Sequence, residues 1–294
     1  MDIALERAAL IGLLTRSAGM KWAEHRNRLD EGNRPTDLAT EHDIARGDAT
    51  LADWSRAAPA ASLFTYLDSG YPQQLLNVWD YPPFVFLQGD QAPLMGPRGD
   101  PGVSIVGTRN PTAGAIRDAR FLARALGEGQ LAVISGLAAG IDSAAHAEAL
   151  ALGCRTIGII GTGINRAYPA TSRDVQEAIA SGGGMLLSQF QPGAAPSKFS
   201  FPMRNGVMSA YGLATIIVQA SEKSGTRHQA TQAVKHGRPL ILYQGVVEGT
   251  TWGRRLAEDP LIDAHAAKTP SEAVKIVQRI IRRGAPAALP LPVT

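Results

Sequence analysis

Residues 103–169 hold three segments of one kind: VSIVGTRNPTAG (103–114), LAVISGLAAGID (131–142) and TIGIIGTGINRAYP (156–169). Each begins with a short apolar run, passes through a glycine-containing turn and enters a stretch with helical spacing. An unbroken apolar run of this length suits a strand buried on both faces, as in a parallel sheet. Similar runs follow at GMLLSQF (184–190), ATIIVQA (214–220) and PLILY (239–243). Helical stretches are predicted at 113–126, 141–152, 173–181, 225–236 and 271–283, and another opens near Arg204. Strands alternating with helices predict an α/β protein with an extended Rossmann-like parallel sheet and helices on both faces.

Outward from this core (103–283), the chain changes texture. Residues 1–60 are rich in Ala, Leu and Arg at helical spacing and predict a small helical N-terminal domain. Residues 61–102 form a lead-in, with short strands in LFTYL and FVFLQG and a linker in QAPLMGPRGDPG (91–102). GAPAALPLPVT (284–294) predicts a disordered tail. The first residues carry Asp2 and Glu6 where a signal peptide would be basic, and no apolar run reaches membrane-spanning length. A cytoplasmic chain without membrane contact is expected. Cys154 is the single cysteine, which excludes a disulfide framework and a thiolate metal cluster. Charge is uneven. Residues 1–95 carry 8 Lys/Arg against 13 Asp/Glu, and residues 96–294 carry 21 against 13. A basic second part suits a polyanion, but many ordinary domains are mildly basic too.

The three turns carry the chemistry. In a doubly wound fold they line up at the carboxyl edge of the strands, where ligands bind. Glycine lets backbone N–H groups approach an anion, and each helix N-terminus adds partial positive charge. Gly107, Thr108 and Arg109, the Ser135–Gly136 turn, and Gly161 and Gly163 are the candidates, with Gly225 and Thr226 as a fourth turn. Arg109 could grip a phosphate through both arms of its guanidinium, or pair with a nearby carboxylate. SKFSFPMRNG (197–206) interleaves Lys198 and Arg204 with Phe199 and Phe201. Cations that follow a backbone and rings that stack on unpaired bases suit single-stranded nucleic acid; alternatively both rings are core and both cations solvated. Neither GxGxxG after the first strand nor a P-loop is present, which argues against dinucleotide and ATP sites. The six histidines form no metal-ligating spacing. Asp142 and His146 share a helix face, as an acid–base pair or, more simply, an ion pair. No catalytic residue, metal or cofactor is expected.

SIVGTRNPT, VISGLAAGIDSAAHAEALALGCRTIGIIGTGINRAYPA and LLSQFQPGAAPSKFSFPMRN together resemble the core of the DprA/Smf family, and LFTYLDSGYPQQLLNVWDYPPFVFLQGD is similar to its lead-in. The resemblance runs from about residue 63 to 245. It implies a Rossmann-like fold of the kind shared with nucleotide-ligand (SLOG) proteins, single-stranded DNA binding, homodimerisation, and loading of the RecA recombinase during natural transformation and homologous recombination. By motif it implies a DNA pocket of Gly107, Thr108, Arg109, Ser135, Gly136, Lys198, Phe201, Arg204 and Asn205. The chain departs from the family in three places. Gly206 stands where another arginine is usual, Thr226–Gln229 replace apolar residues, and no C-terminal winged helix is evident. The alternatives are a diverged nucleotide-ligand sensor, as in a defence system, and a nucleotide phosphoribohydrolase. For the latter, SEKSGTRHQA lacks the paired glycines and glutamate of a PGGxGTxxE motif.

Overall fold

The computed structural model describes residues 2–16, 21–96 and 99–284. Of the expected tail (284–294), Gly284 instead ends the last helix, while residues 285–294, and residues 97–98 of the expected linker, lie outside the described residues. The elements run in chain order as α1 (Ile3–Thr15), α2 (Trp22–Asp30), α3 (Pro35–Leu38), α4 (Glu41–Ala57), β1 (Ser62–Thr65), β2 (Phe84–Gly89), β3 (Gly102–Val106), α5 (Ala113–Glu128), β4 (Ala132–Ser135), α6 (Ile141–Ala151), β5 (Thr156–Ile159), α7 (Arg173–Ser181), β6 (Met185–Ser188), α8 (Ser200–Tyr211), β7 (Thr215–Ile217), α9 (Thr226–Lys235), β8 (Leu240–Tyr243), α10 (Gln244–Gly249), α11 (Thr251–Glu258), β9 (Ala264–Ala267) and α12 (Pro270–Gly284). They belong to two compact units, one of Met1–Asp100 with Ile157–Val207, the other of Pro101–Thr156 with Met208–Thr294.

In the first unit the helical N-terminus packs through two glycines. A Cβ on Gly12 of α1 would lie 1.8 Å from the Asp43 carbonyl oxygen, and one on Gly47 of α4 would lie 1.8 Å from that of Ala8. Only hydrogen fits at these two points, so α1 and α4 cross backbone to backbone. Thr40 starts α4. Its hydroxyl accepts from the Asp43 N–H at 3.2 Å, while the Asp43 carboxylate accepts from the Thr40 N–H at 3.0 Å, a reciprocal cap. Trp54 of α4 lies against Phe84 and Phe86 of β2, with ring centroids 5.2 and 5.5 Å away. The strands run β1-β2-β6-β5. β1 and β2 pair antiparallel, with Phe64 opposite Val85; β2 meets β6 antiparallel, and β5 lies parallel to β6.

The second unit is parallel throughout, in the order β4-β3-β7-β8-β9. Every residue of β3, β4, β7 and β8 is buried, as expected of strands covered on both faces. From β3 the chain goes to β4 on one side and later to β7 on the other. β3 is therefore the strand where the winding reverses, and the crevice outside its carboxyl end is where such folds accept ligands. Three elements of this unit lie outside the predicted strands and helices: α10, α11 and β9. β9 (AHAA) lacks the β-branched residues that mark strands and is held by its register against β8, with Leu240 opposite Ala264.

Candidate nucleic-acid interface

The first turn leaves β3 at Gly107. A Cβ there would meet Ile141 Cγ1 at 2.5 Å, so glycine lets the turn press against the start of α6. Gln219, just past β7, clamps the loop from the other side. Its carbonyl accepts from the Thr108 N–H at 2.7 Å and its side-chain oxygen from the Thr112 N–H at 2.9 Å. Gly140, at φ +86°, supplies the third wall, where a Cβ would strike the Thr108 and Arg109 carbonyls at 2.4 and 2.9 Å. On this braced loop Arg109 is exposed, and among the described residues its side chain has no hydrogen-bond or ion partner. The carboxylate partner that the sequence leaves open is not found among the described residues.

Ser135 and Gly136 face inward. The Ser135 hydroxyl donates to the Ile105 carbonyl at 2.6 Å, and the Gly136 N–H donates to the Asp142 carboxylate at 3.1 Å. They shape the turn through the protein's own groups. His146, one helical turn after Asp142, bonds through Nδ1 to the Thr156 hydroxyl at 2.7 Å. At the fourth turn, Gly225 caps α9 and the Ser224 hydroxyl accepts from the Thr226 N–H at 3.2 Å. The loop before it is tied down by Glu222, which accepts from the Thr251 hydroxyl and N–H at 2.5 and 2.7 Å; those bonds hold its carboxyl below the usual pKa.

The remaining candidates belong to the first unit. Gly161 follows β5, and a Cβ there would press on the Phe201 ring at 3.0 Å. Gly163 is enclosed by the 191–194 backbone and gives its N–H to the Ala194 carbonyl at 3.0 Å. α8 begins at Ser200, several residues earlier than the sequence suggested, so Phe201, Arg204 and Asn205 lie on a helix. The half-buried Phe201 ring rests near Tyr168, with centroids 5.5 Å apart. Arg204 is only 7% exposed. Its guanidinium donates to the Ile159 carbonyl at 2.8 Å and to Asn205 Oδ1 at 3.0 Å, which fixes the end of β5. Lys198 stays in solvent, its ammonium 5.1 Å from the centre of the Phe199 ring.

Phe199 and Tyr168 are 67% and 45% exposed. Neither stood among the site residues expected from the sequence. The sequence presents Phe199 and Phe201 alike, because alternation of rings and cations does not say which ring faces out. Among the described residues no group of three or more His, Cys, Asp or Glu side chains could hold a metal ion, and no helix is long and apolar enough to cross a membrane.

The molecule is thus a Rossmann-like α/β protein with an exposed arginine on a braced loop at its winding reversal and a solvent-facing lysine–aromatic pair ahead of α8. The chain belongs to the DNA recombination-mediator protein A family, whose sequence pattern matches residues 62–280. It is similar to the DNA processing protein DprA of Streptococcus pneumoniae, 33% identical over 191 residues that cover 65% of this chain and 66% of that one. It is also similar to DprA of Bacillus subtilis, 36% identical over 175 residues, 60% of this chain and 58% of the relative. The chain therefore spans somewhat under two thirds of these curated relatives. Two solved structures are similar in fold. The S. pneumoniae DprA structure has a TM-score of 0.70 at 26% identity, covering 92% of this chain and 95% of that one. That of DprA from Helicobacter pylori, described for its single-stranded DNA binding mode, has a TM-score of 0.64 at 26% identity, covering 74% and 96%.

Proposed function

We propose that this protein binds single-stranded DNA and acts as a DprA/Smf-type mediator of recombination, serving DNA uptake in natural transformation by loading RecA, as a cytoplasmic homodimer and without catalysis. The observation that carries the reading is the exposed Lys198–Phe199 pair in front of α8: a cation for the backbone and a ring for unpaired bases, both turned to solvent. Arg109 adds a second exposed cation at a ligand-accepting edge. The H. pylori relative's single-stranded DNA binding supports the same reading.

Phosphate contacts release counterions, so affinity must fall with salt in proportion to their number. Fluorescence anisotropy of a labelled oligothymidylate across a salt series tests this directly. Arg109→Ala with Lys198→Ala should weaken binding and reduce the slope by about 1.4, at about 0.7 per contact on a single strand. Phe199→Ala should weaken binding at every salt concentration alike. Unmodified protein that ignores single strands at low salt would end the proposal. RecA loading is tested separately, by filament assembly on DNA already coated with single-strand-binding protein.

A further inference from the structure

We propose that a pocket beside α7, in the first unit, is a binding site for a phosphate group. The pocket does not include Lys198 or Phe199, and the inference does not depend on the DNA reading above. Gln88 of β2 and Leu186 of β6 are directly paired across the strands and form its floor. The loop 164–167 and one face of α7 form its walls. Arg166 on the loop and Arg173 in the first turn of α7 both line it. Among the described residues neither guanidinium has a hydrogen-bond or ion partner, although Glu177 lies one helical turn from Arg173 on the same lining.

The deepest polar group is Gln176, 5% exposed. Its side-chain nitrogen donates to the Ser172 hydroxyl at 3.1 Å, and that hydroxyl donates to the Pro169 carbonyl at 2.7 Å, so the amide is fixed in place. Among the described residues the other N–H of that amide has no acceptor, and it remains for a ligand. Two guanidinium forks and an anchored amide form a donor set for a tetrahedral oxyanion. With Glu177 the lining keeps one net positive charge. The start of α7 adds the partial positive charge of a helix N-terminus.

Size selects among anions. The cavity holds about 140 Å³, well below the roughly 300 Å³ at which pockets begin to enclose drug-sized molecules. A phosphate group fits, while an attached sugar and base would stay outside. The group can come from a nucleic-acid backbone or from free phosphate, and the two sources are separable.

Thermal unfolding of the full chain should be followed in increasing inorganic phosphate at constant ionic strength, with acetate as the control. The melting temperature should rise with millimolar phosphate and not with acetate. Arg166→Ala with Arg173→Ala should lose most of that rise, and Glu177→Gln should enlarge it. The Arg166→Lys, Arg173→Lys pair keeps the charge, guards against a folding defect and should retain part of the response. An equal phosphate response in wild type and in the alanine double variant overturns the site, as does an acetate response as large as that to phosphate. Oligonucleotide anisotropy then identifies the source. If the alanine pair also lowers affinity and salt slope, the phosphate is the backbone's; if it leaves both unchanged, it is free phosphate. Lys198→Ala should leave the phosphate response intact, so failure of the DNA reading and failure of this site give different results.

Discussion

Gly206→Arg restores the cation that the resemblance expects and this chain lacks, and the structure sets its effect. Gly206 lies inside α8, and, its own helix backbone and chain neighbours aside, no atom of the described residues lies within 4 Å of the position its Cβ would take. A side chain therefore enters without displacing a neighbour. An interior helical glycine costs about 0.5–1 kcal/mol relative to residues with ordinary helix propensity. Gly206→Ala should recover that amount as a higher urea midpoint with an unchanged m-value, and Gly206→Arg should recover nearly as much. Helical side chains lean toward the N-terminus, so the introduced guanidinium would reach back over the exposed Met203, toward the end of α8 that follows Lys198 and Phe199. One added charge-assisted phosphate contact, worth about 1 kcal/mol, raises single-strand affinity about fivefold at low salt. It also steepens the salt slope by about 0.7 relative to the alanine variant. A lower midpoint for Gly206→Ala would show that the space is not open. Equal slopes for the alanine and arginine variants, with stability gained in both, would show that the strand does not run past this face of α8.

Other consequences follow from single contacts. Gly12→Ala places a methyl group on the Asp43 carbonyl and should cost about 1–3 kcal/mol in urea unfolding; a silent substitution would refute the backbone-to-backbone crossing of α1 and α4. Gln229 on α9 is 1% exposed and, among the described residues, both polar atoms of its amide are buried without a partner, so Gln229→Met should stabilise by about 1–3 kcal/mol, and a loss of stability would mean that the amide is partnered. Arg204→Met leaves the Ile159 carbonyl without its donor and should lower the melting temperature, whereas Lys198→Ala should change oligonucleotide affinity and leave melting alone. Burial would raise the Asp43 carboxyl pKa, but bonds from the Thr40 N–H, the Thr40 hydroxyl and Arg46 outweigh it and hold the pKa at about 2. A depressed folded-state pKa contributes stability above pH of about 4 that is lost as pH falls toward 2; Asp43→Asn should flatten the urea midpoint over that window, and an unchanged pH profile would contradict it.

The sequence by itself determined the strand–helix alternation, the glycine turns, the helical N-terminus and the family, because each rests on a local pattern. Unbroken apolar runs report burial on both faces, and a long motif reports its own kind. Tertiary structure alone decided which candidates face solvent. Arg109 and Arg204 are both arginines in family-like motifs, yet one is exposed on a braced loop and the other is buried against the Ile159 carbonyl. Phe199 and Phe201 are two residues apart, but α8 begins between them, so Phe201 packs on Gly161 and Phe199 does not. β9, with its alanine-rich sequence, became a strand only because β8 offered it an edge. The Arg166–Arg173 pocket needed β2 and β6 side by side beneath α7, with Gln88 opposite Leu186, a juxtaposition across the chain that no periodicity along it encodes.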